Sequence, residues 1–294
     1  MPDRIICIGE LMTDVVALLS DEIAYGSDTR VSITYRGGGA GGNVASWLGV
    51  NGADVTLVAR VGDDTGGIDG VKLIERCRVK SAVVVDPNST TGTVIVLVSP
   101  GGERTMLPDS GANDFLQTSD VPALNDDDRV YLSGYLLLRE ETRSAACEIL
   151  QTAREIGART FVDPASSAPI LQVGATNFLQ WMGKVDVLFA NLEEAQALTD
   201  ELDPWRAAEK LLDNARTVVV KLGPDGAIGL TATDSARVPA VPVENVIDTT
   251  GAGDSFAAGF LLSDTNLEES LRSGANVAAK CVVSVGARPQ VAKS

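Results

Sequence analysis

The chain predicts an α/β fold: a doubly wound, mostly parallel sheet flanked by helices, with a small β-sheet beside it. Three observations carry this. From Arg129 onward, short apolar runs alternate with helix-spaced apolar residues. Glycine-rich turns follow several of those runs directly. Two stretches, about 11–37 and 90–109, hold β-rich runs with no helix of their own and read as a separate small sheet. The 294 residues, 45% hydrophobic and 22% charged, suit one large domain spanning 1–294.

The elements follow in order. Ile5 to Gly9 is a buried strand, and Glu10 to Asp14 follow its C-terminal end, where open α/β sheets collect ligands. Asp14 can touch a polar ligand there, or be a solvated loop carboxylate. Val15 to Leu19 and Val31 to Tyr35 are extended runs. The glycines from Gly37 to Gly42 then lead through Asn43 into a helix with Val44, Ala45, Trp47 and Leu48, closed by Gly52. Asn43 also suits a helix N-cap. Gly37, Gly39 and Gly42 satisfy G-x-G-x-x-G, with Asp63 about twenty residues on, so an NAD-binding oxidoreductase stays open as a rival. Arg60 to Gly66 lead from the strand Val55 to Ala59 into a helix with Ile68, Val71 and Ile74. Ala82 to Val85 and Thr93 to Val98 are extended, and a Pro100–Gly102 turn leads to the run Glu103 to Leu107. With residues 15–35 these would form a small sheet that can lie as a lid over a site and exclude water from it.

Val130 to Leu132, Phe161 to Asp163, Val185 to Ala190 and Thr217 to Leu222 are the later strands. A helix carrying Ala146, Ile149, Leu150, Ala153 and Ile156 ends at Gly157. Asn191 and Glu194 match a capping box after a strand end. Lys221 to Gly226 form a turn before a hairpin, and on its own Lys221 reads as a surface cation. A last helix is expected from about Leu267 to Val285.

Composition excludes several classes. There is no histidine, so Ser-His-Asp catalysis, Cys-His catalysis and His-ligated zinc are out. Cys7, Cys77, Cys147 and Cys281 are scattered in apolar contexts and read as free buried thiols. A net charge of −16 opposes nucleic-acid backbones and anionic membranes, so neither is an expected partner. No apolar run approaches the roughly 18 residues of a membrane span, and the N-terminus does not resemble a signal peptide, so a cytoplasmic protein is expected.

The chemistry concentrates in Asp248-Thr249-Thr250-Gly251-Ala252-Gly253-Asp254-Ser255-Phe256. The glycines allow a sharp turn into a helix, whose first N–H groups lack intrahelical partners and point outward with the positive end of the helix dipole. That is an anion cradle, and Asp254 adds a carboxylate in the first turn. Together they can stabilise a migrating phosphoryl group and take a hydroxyl proton. An acidic first-turn residue is also ordinary helix-dipole complementarity.

This stretch resembles the C-terminal signature of the ribokinase-like, or PfkB-type, carbohydrate kinases. Gly38-Gly39 with Asn43, Asn191 with Glu194, and the Lys221-Leu222-Gly223 turn resemble further family segments in the same order. The resemblance implies an ATP- and Mg²⁺-dependent kinase acting on a hydroxyl of a sugar or sugar acid, of fructokinase, ketodeoxygluconate kinase or ribokinase type. It implies Asp254 as base within Gly251, Ala252 and Gly253, and Asp14, Gly38, Gly39 and Asn43 around the sugar. The nucleotide would meet Asn191, Glu194, Lys221, Gly223, Gly226 and Asn276, with Glu194 reaching Mg²⁺ through water. Asp248 and the Thr250 carbonyl would hold a monovalent cation such as K⁺, although Gln290 stands where the family has a hydroxyl residue. Arg104 could pair with a sugar acid's carboxylate or lie free on the surface. A nucleoside kinase of the same fold and a non-catalytic sugar-binding relative also stay open as rivals. Lid strands with free edges could also pair two copies as a homodimer.

Overall fold

The first strand, β1 (Ile5–Ile8), is buried at every position. Successive strand side chains point to opposite faces, so Ile5 and Cys7 enter one hydrophobic cluster while Ile6 and Ile8 enter another. The two clusters are the two sides of a central sheet. Helices Ala40–Val50, Thr65–Arg76, Ala252–Leu261 and Leu267–Cys281 cover the first. Helices Glu140–Ile156, Ala175–Met182, Leu192–Thr199 and Pro204–Leu211 cover the second. The computed structural model that shows this describes residues 4–101, 103–263 and 265–291. Gly102, from the expected Pro100–Gly102 turn, and the outermost terminal residues lie outside them.

The other strands are β2 (Met12–Leu19), β3 (Val31–Gly38), β4 (Val55–Gly62), β5 (Lys80–Asp86), β6 (Thr93–Val98), β7 (Arg104–Asp109) and β8 (Arg129–Ser133). They continue with β9 (Arg159–Asp163), β10 (Val185–Asn191), β11 (Ala215–Lys221), β12 (Ala227–Thr231) and β13 (Ser235–Val238). Among the described residues the central sheet runs β13-β12-β11-β10-β9-β8-β1-β4-β5. From β11 to β5 every pairing is parallel, and β12 and β13 add an antiparallel edge. This is the mostly parallel, doubly wound α/β architecture that the alternation predicts.

The second sheet runs β3-β2-β6-β7. Its register places Asp14, Val94 and Pro108 in one row across the strands. The next row, Tyr35, Val15, Ile95 and Leu107, points to the opposite face. One run expected in the small sheet is elsewhere: Ala82 to Val85 belong to β5, parallel to β4 at the edge of the central sheet. Extended patterning marks a strand but not the sheet that claims it. The dinucleotide reading also fails here. The strand before the glycine run is β3 of the small sheet, so that run is not the turn after a first central strand.

Candidate active site

The C-terminal ends of β1, β9, β10 and β11 open into a cleft of about 1010 Å³, roofed by the small sheet through Met12, Asp14, Val94, Arg104, Met106 and Pro108. The turn Thr249 to Asp254 lies along the same cleft. A strand-end position beside a lid-like sheet is where an α/β fold collects both a polar ligand and a phosphate.

Gly251 caps the helix Ala252–Leu261 with φ 75°, a left-handed conformation that favours glycine. A Cβ there would lie 2.5 Å from that of Ala287, so two separate constraints hold this residue. Ala252 N–H closes a turn onto the Thr249 carbonyl (3.1 Å), while the helix reaches no carbonyl for the N–H groups of Gly253 and Asp254. Asp254 Oδ2 accepts a 2.8 Å hydrogen bond from Asn43 Nδ2, 211 residues away in the chain. Burial pushes the Asp254 carboxyl up to about 6; Asn43 and Lys221 pull against this, and Asp163 and Glu10 reinforce it.

Asn43 is not a cap. Gly39 is the N-cap, and Asn43 stands inside the helix Ala40–Val50, buried at 6% exposure. Asp14 is no solvated loop residue either, because β2 buries it at 7% exposure. Its carboxylate lies against Gly38, where any Cβ would overlap it. Burial pushes Asp14 up to about 6 against the nearby Arg288 guanidinium.

On the opposite side, Asn191 and Glu194 form a full capping box: Glu194 N–H donates to Asn191 Oδ1, and Asn191 N–H to Glu194 Oε2, each at 2.8 Å. Asn191 Nδ2 donates to the other carboxylate oxygen, also at 2.8 Å. Burial and neighbouring Asp163 raise the Glu194 carboxyl above its usual range. Lys221 is no surface cation. It is half-buried, with its side chain 12% exposed, and its Nζ lies 2.6 Å from Asp163 Oδ2. Gly223 and Gly226 line the cleft beside it.

Asn276 departs from expectation. It is exposed and outside the cleft lining, which Ala278 joins instead. Two residues along a helix turn the side chain through about 200°, so only one of the pair faces the cleft. The monovalent-cation residues are also engaged otherwise. Thr250 N–H and Gly286 N–H each donate to Asp248 at 2.8 Å, and Arg104 Nη2 reaches Asp248 Oδ1 at 2.7 Å. The Thr250 carbonyl accepts from the Cys281 thiol at 3.4 Å. Gln290 Nε2 donates to the Val285 carbonyl at 3.2 Å. A cation bound to this carboxylate would have to displace the Arg104 guanidinium. Arg104, exposed at the cleft rim, is thus paired with Asp248.

Sequence reasoning singled out neither Asp163, Arg139, Glu10 nor Arg288. Buried Glu10 accepts from Ser133 Oγ (2.9 Å) and Arg139 Nη1 (3.3 Å) in the cleft wall. An Asp closing a buried strand before Pro164 was the one signal for Asp163.

A glycine turn opening a helix beside a buried carboxylate, in a cleft at the strand ends of an α/β sheet, is an arrangement able to support phosphoryl transfer. The pfkB family carbohydrate kinase model matches residues 2–293, and the chain belongs to that family. It is a phosphotransferase whose acceptor is an alcohol group of a sugar. The chain is 31% identical to an ATP-dependent ribose-1-phosphate kinase of Halopiger xanaduensis over 274 residues, covering 91% of this chain and 88% of that one. It is 29% identical to mouse ribokinase, covering 96% and 90%. The crystal structure of adenosine kinase from Sinorhizobium meliloti superposes with a TM-score of 0.86 at 28% identity, covering 99% and 97%. Among the described residues no helix is long and apolar enough to cross a membrane.

Proposed function

We propose that the chain phosphorylates a hydroxyl of a ribose-type sugar or sugar phosphate with ATP, using Asp254 as the base. The observation that carries this is the 2.8 Å bond from Asn43 to Asp254, which joins the acceptor-side glycine motif to the anion cradle. Asp14, Gly38, Gly39 and Asn43 hold the sugar hydroxyls. Asp254 takes the proton of the attacking hydroxyl, and with its pKa near 6 it is ionised at neutral pH. The N–H groups of Gly253 and Asp254 take up charge on the migrating phosphoryl group, and the Lys221 ammonium, paired with Asp163, adds hydrogen-bond donors beside them. Asn191, Glu194, Gly223 and Gly226 flank the nucleotide. Mg²⁺ suits the oxygen donors of Glu194 and Asn191 through water, and when bound it supplies neutralisation of the phosphate charge.

The four-stranded sheet acts as a lid, and its outer apolar row is the surface on which two copies pair. Tyr35, Ile95 and Leu107 are 73%, 44% and 51% exposed there. The free thiols Cys7, Cys77, Cys147 and Cys281 and the use of ATP suit a cytoplasmic location.

One observation favours a second reading. Met12, Val94, Met106 and Pro108 make the lid side of the acceptor pocket apolar, a surface that would suit a nucleoside base. The likeness to a solved adenosine kinase supports the same reading. The test is ADP release from MgATP with ribose, ribose 1-phosphate, fructose, fructose 6-phosphate, 2-keto-3-deoxygluconate, adenosine and pseudouridine. A hit among the sugars that is lost in Asp254→Asn supports the first reading. A hit among the nucleosides alone replaces it with the second. Undiminished turnover in Asp254→Asn removes Asp254 as base.

A further inference from the structure

Arg288 lies in the segment after the last helix, two residues before Gln290 and 245 residues from Asn43. It is 8% exposed. Its Nε donates to Asn43 Oδ1 at 3.2 Å, and its Nη2 donates to the Gly38 carbonyl. Its Nη1 is buried with no hydrogen-bond partner among the described residues. Two glycines of the acceptor motif make room for it: a Cβ on Gly37 would lie 2.5 Å from Nη1, and one on Gly42 would collide with Nη2. The neighbouring Ala287 carbonyl is tied to Trp47 Nε1 at 2.8 Å, which fixes the segment against the helix that carries Asn43. A buried guanidinium with an unspent donor is costly to keep for packing alone.

An Asn amide can present either end to a neighbour. With Arg288 donating to its oxygen, Asn43 has only its N–H₂ end left for Asp254, and that bond is 2.8 Å. Were the amide to turn over, an oxygen would face a carboxylate. We propose that Arg288 is a positioning residue: it fixes the Asn43 amide so that its donor end faces Asp254, and it anchors the Gly38 backbone that lies against Asp14. The kinetic part of this rests on the kinase reading above.

The Asp254 carboxyl is the reporter. Asp163 and Glu10 raise its pKa and Lys221 lowers it, while Glu194, itself pushed up to about 7 by burial, also faces the carboxyl and titrates in the neighbouring range. Tyr131, Tyr135 and Cys281 also face it, and burial raises the pKa of each, so they stay neutral near pH 6. Arg288 itself attracts it at longer range. Losing both the Asn43 bond and the guanidinium moves the Asp254 titration upward.

The experiment compares wild type, Arg288→Gln, Arg288→Lys and Asn43→Ala, each checked for folding by circular dichroism. Side-chain ¹³C signals of labelled aspartate are followed against pH, alongside kcat and KM for the acceptor and for ATP. In Arg288→Gln the Asp254 midpoint should rise by about half a pH unit or more. Its kcat/KM for the acceptor should fall about ten- to a hundredfold, with KM for ATP within about twofold. Arg288→Lys keeps the charge but not the two-point contact, and should fall between the two. Asn43→Ala should shift the midpoint in the same direction. A folded Arg288→Gln with the wild-type midpoint and acceptor KM, whatever its melting temperature, overturns the proposal. If neither Arg288 variant folds, a wild-type midpoint in Asn43→Ala overturns it, because Arg288 then has nothing to act through, and a raised one supports it. A wild-type chain that turns over no acceptor would sink the kinase reading, while the carboxyl titration still decides the role of Arg288.

Discussion

Lys221 Nζ lies 2.6 Å from Asp163 Oδ2, and the same ammonium stands beside the anion cradle, 3.2 Å from where a Cβ of Gly253 would be. Adjacent strand ends of the parallel sheet bring this about: β11 delivers Lys221 and β9 delivers Asp163, with Asn191 of β10 between them. Burial alone would lower the Lys221 pKa, but Asp163 and Glu194 outweigh it and hold the ammonium charged. The cradle therefore carries a fixed cation that cannot be neutralised in the working pH range.

Replacing that cation should separate chemistry from binding. Lys221→Met is expected to lower kcat by about 10²–10³, the scale of losing one preorganised donor to a developing anion. KM for the acceptor should stay within about twofold, since Lys221 stands on the nucleotide side. The variant takes the cation from buried Asp163 and leaves it the Ala165 N–H at 3.1 Å, which costs about 3–5 kcal/mol of stability. Asp163→Asn combined with Lys221→Met should recover melting temperature but not turnover. Steady-state kinetics and thermal melts on both variants check this, and near-wild-type kcat in Lys221→Met would remove the lysine from the chemistry.

Asp254 ties activity and stability to opposite ends of one titration. Its folded-state pKa of about 6 lies above the ordinary Asp value of 3.8, so the folded chain binds this proton more tightly than the unfolded one. Stability contributed by the protonated form falls as pH rises from about 4 to about 6, and the penalty is fully present above that. Activity runs the other way, because a base must be ionised: log kcat/KM should climb with unit slope up to about pH 6 and then level. Asp254→Asn removes the buried charge while leaving an oxygen to accept from Asn43. It should therefore raise the melting temperature at pH 7.5 while losing nearly all turnover. A lower melting temperature would contradict the assigned cause of the shift.

What was legible in the chain beforehand was local. Strand runs, the Asn191–Glu194 box and the turn at Gly251 to Asp254 depend on residues within a few positions of one another, so their pattern survives in one dimension. What was not legible depends on packing. Asp163 and Lys221 are 58 residues apart, Arg288 and Asn43 are 245 apart, and neither pair has a spacing that sequence could reveal. Asn276 shows the limit within a helix. Asn276 is exposed, while Ala278, two residues on, lines the cleft, and which of the two turns inward is set by how the helix packs. Ala82 to Val85 show it for strands, since parallel pairing to β4 was decided by the helix Thr65–Arg76 that returns the chain there.

The outer row of the small sheet should hold two copies together. Tyr35, Val15, Ile95 and Leu107 cross the strands side by side on the face away from the cleft. Placing a charge in the middle of an apolar contact leaves it desolvated and unpaired, so Ile95→Glu or Tyr35→Glu should yield a monomer. Light scattering behind gel filtration reads this directly. A wild-type monomer at working concentration, or a Glu variant that stays dimeric, would refute the pairing.

Arg104 should make the enzyme indifferent to potassium. Its Nη2 lies 2.7 Å from Asp248 Oδ1, and its Nη1 reaches Thr249 Oγ1 at 3.5 Å, so a guanidinium from the small sheet supplies positive charge to the turn that carries the cradle. Burial would raise the Asp248 carboxyl, but hydrogen bonds from Thr250 and Gly286 and the charge of Arg104 hold it below the usual range. The ion pair therefore persists throughout the pH range in which Asp254 works as a base. Wild-type turnover is expected to be equal in K⁺ and in tetramethylammonium at matched ionic strength. Arg104→Gln removes the charge but keeps an amide of similar reach. It should lower kcat about tenfold in tetramethylammonium, on the scale of a lost charge-assisted hydrogen bond. Adding K⁺ should restore part of that loss, because an ion can then take the freed carboxylate. Strong K⁺ activation of the wild type would show that Arg104 yields Asp248 to a cation during turnover, and that the pair seen here is a resting contact.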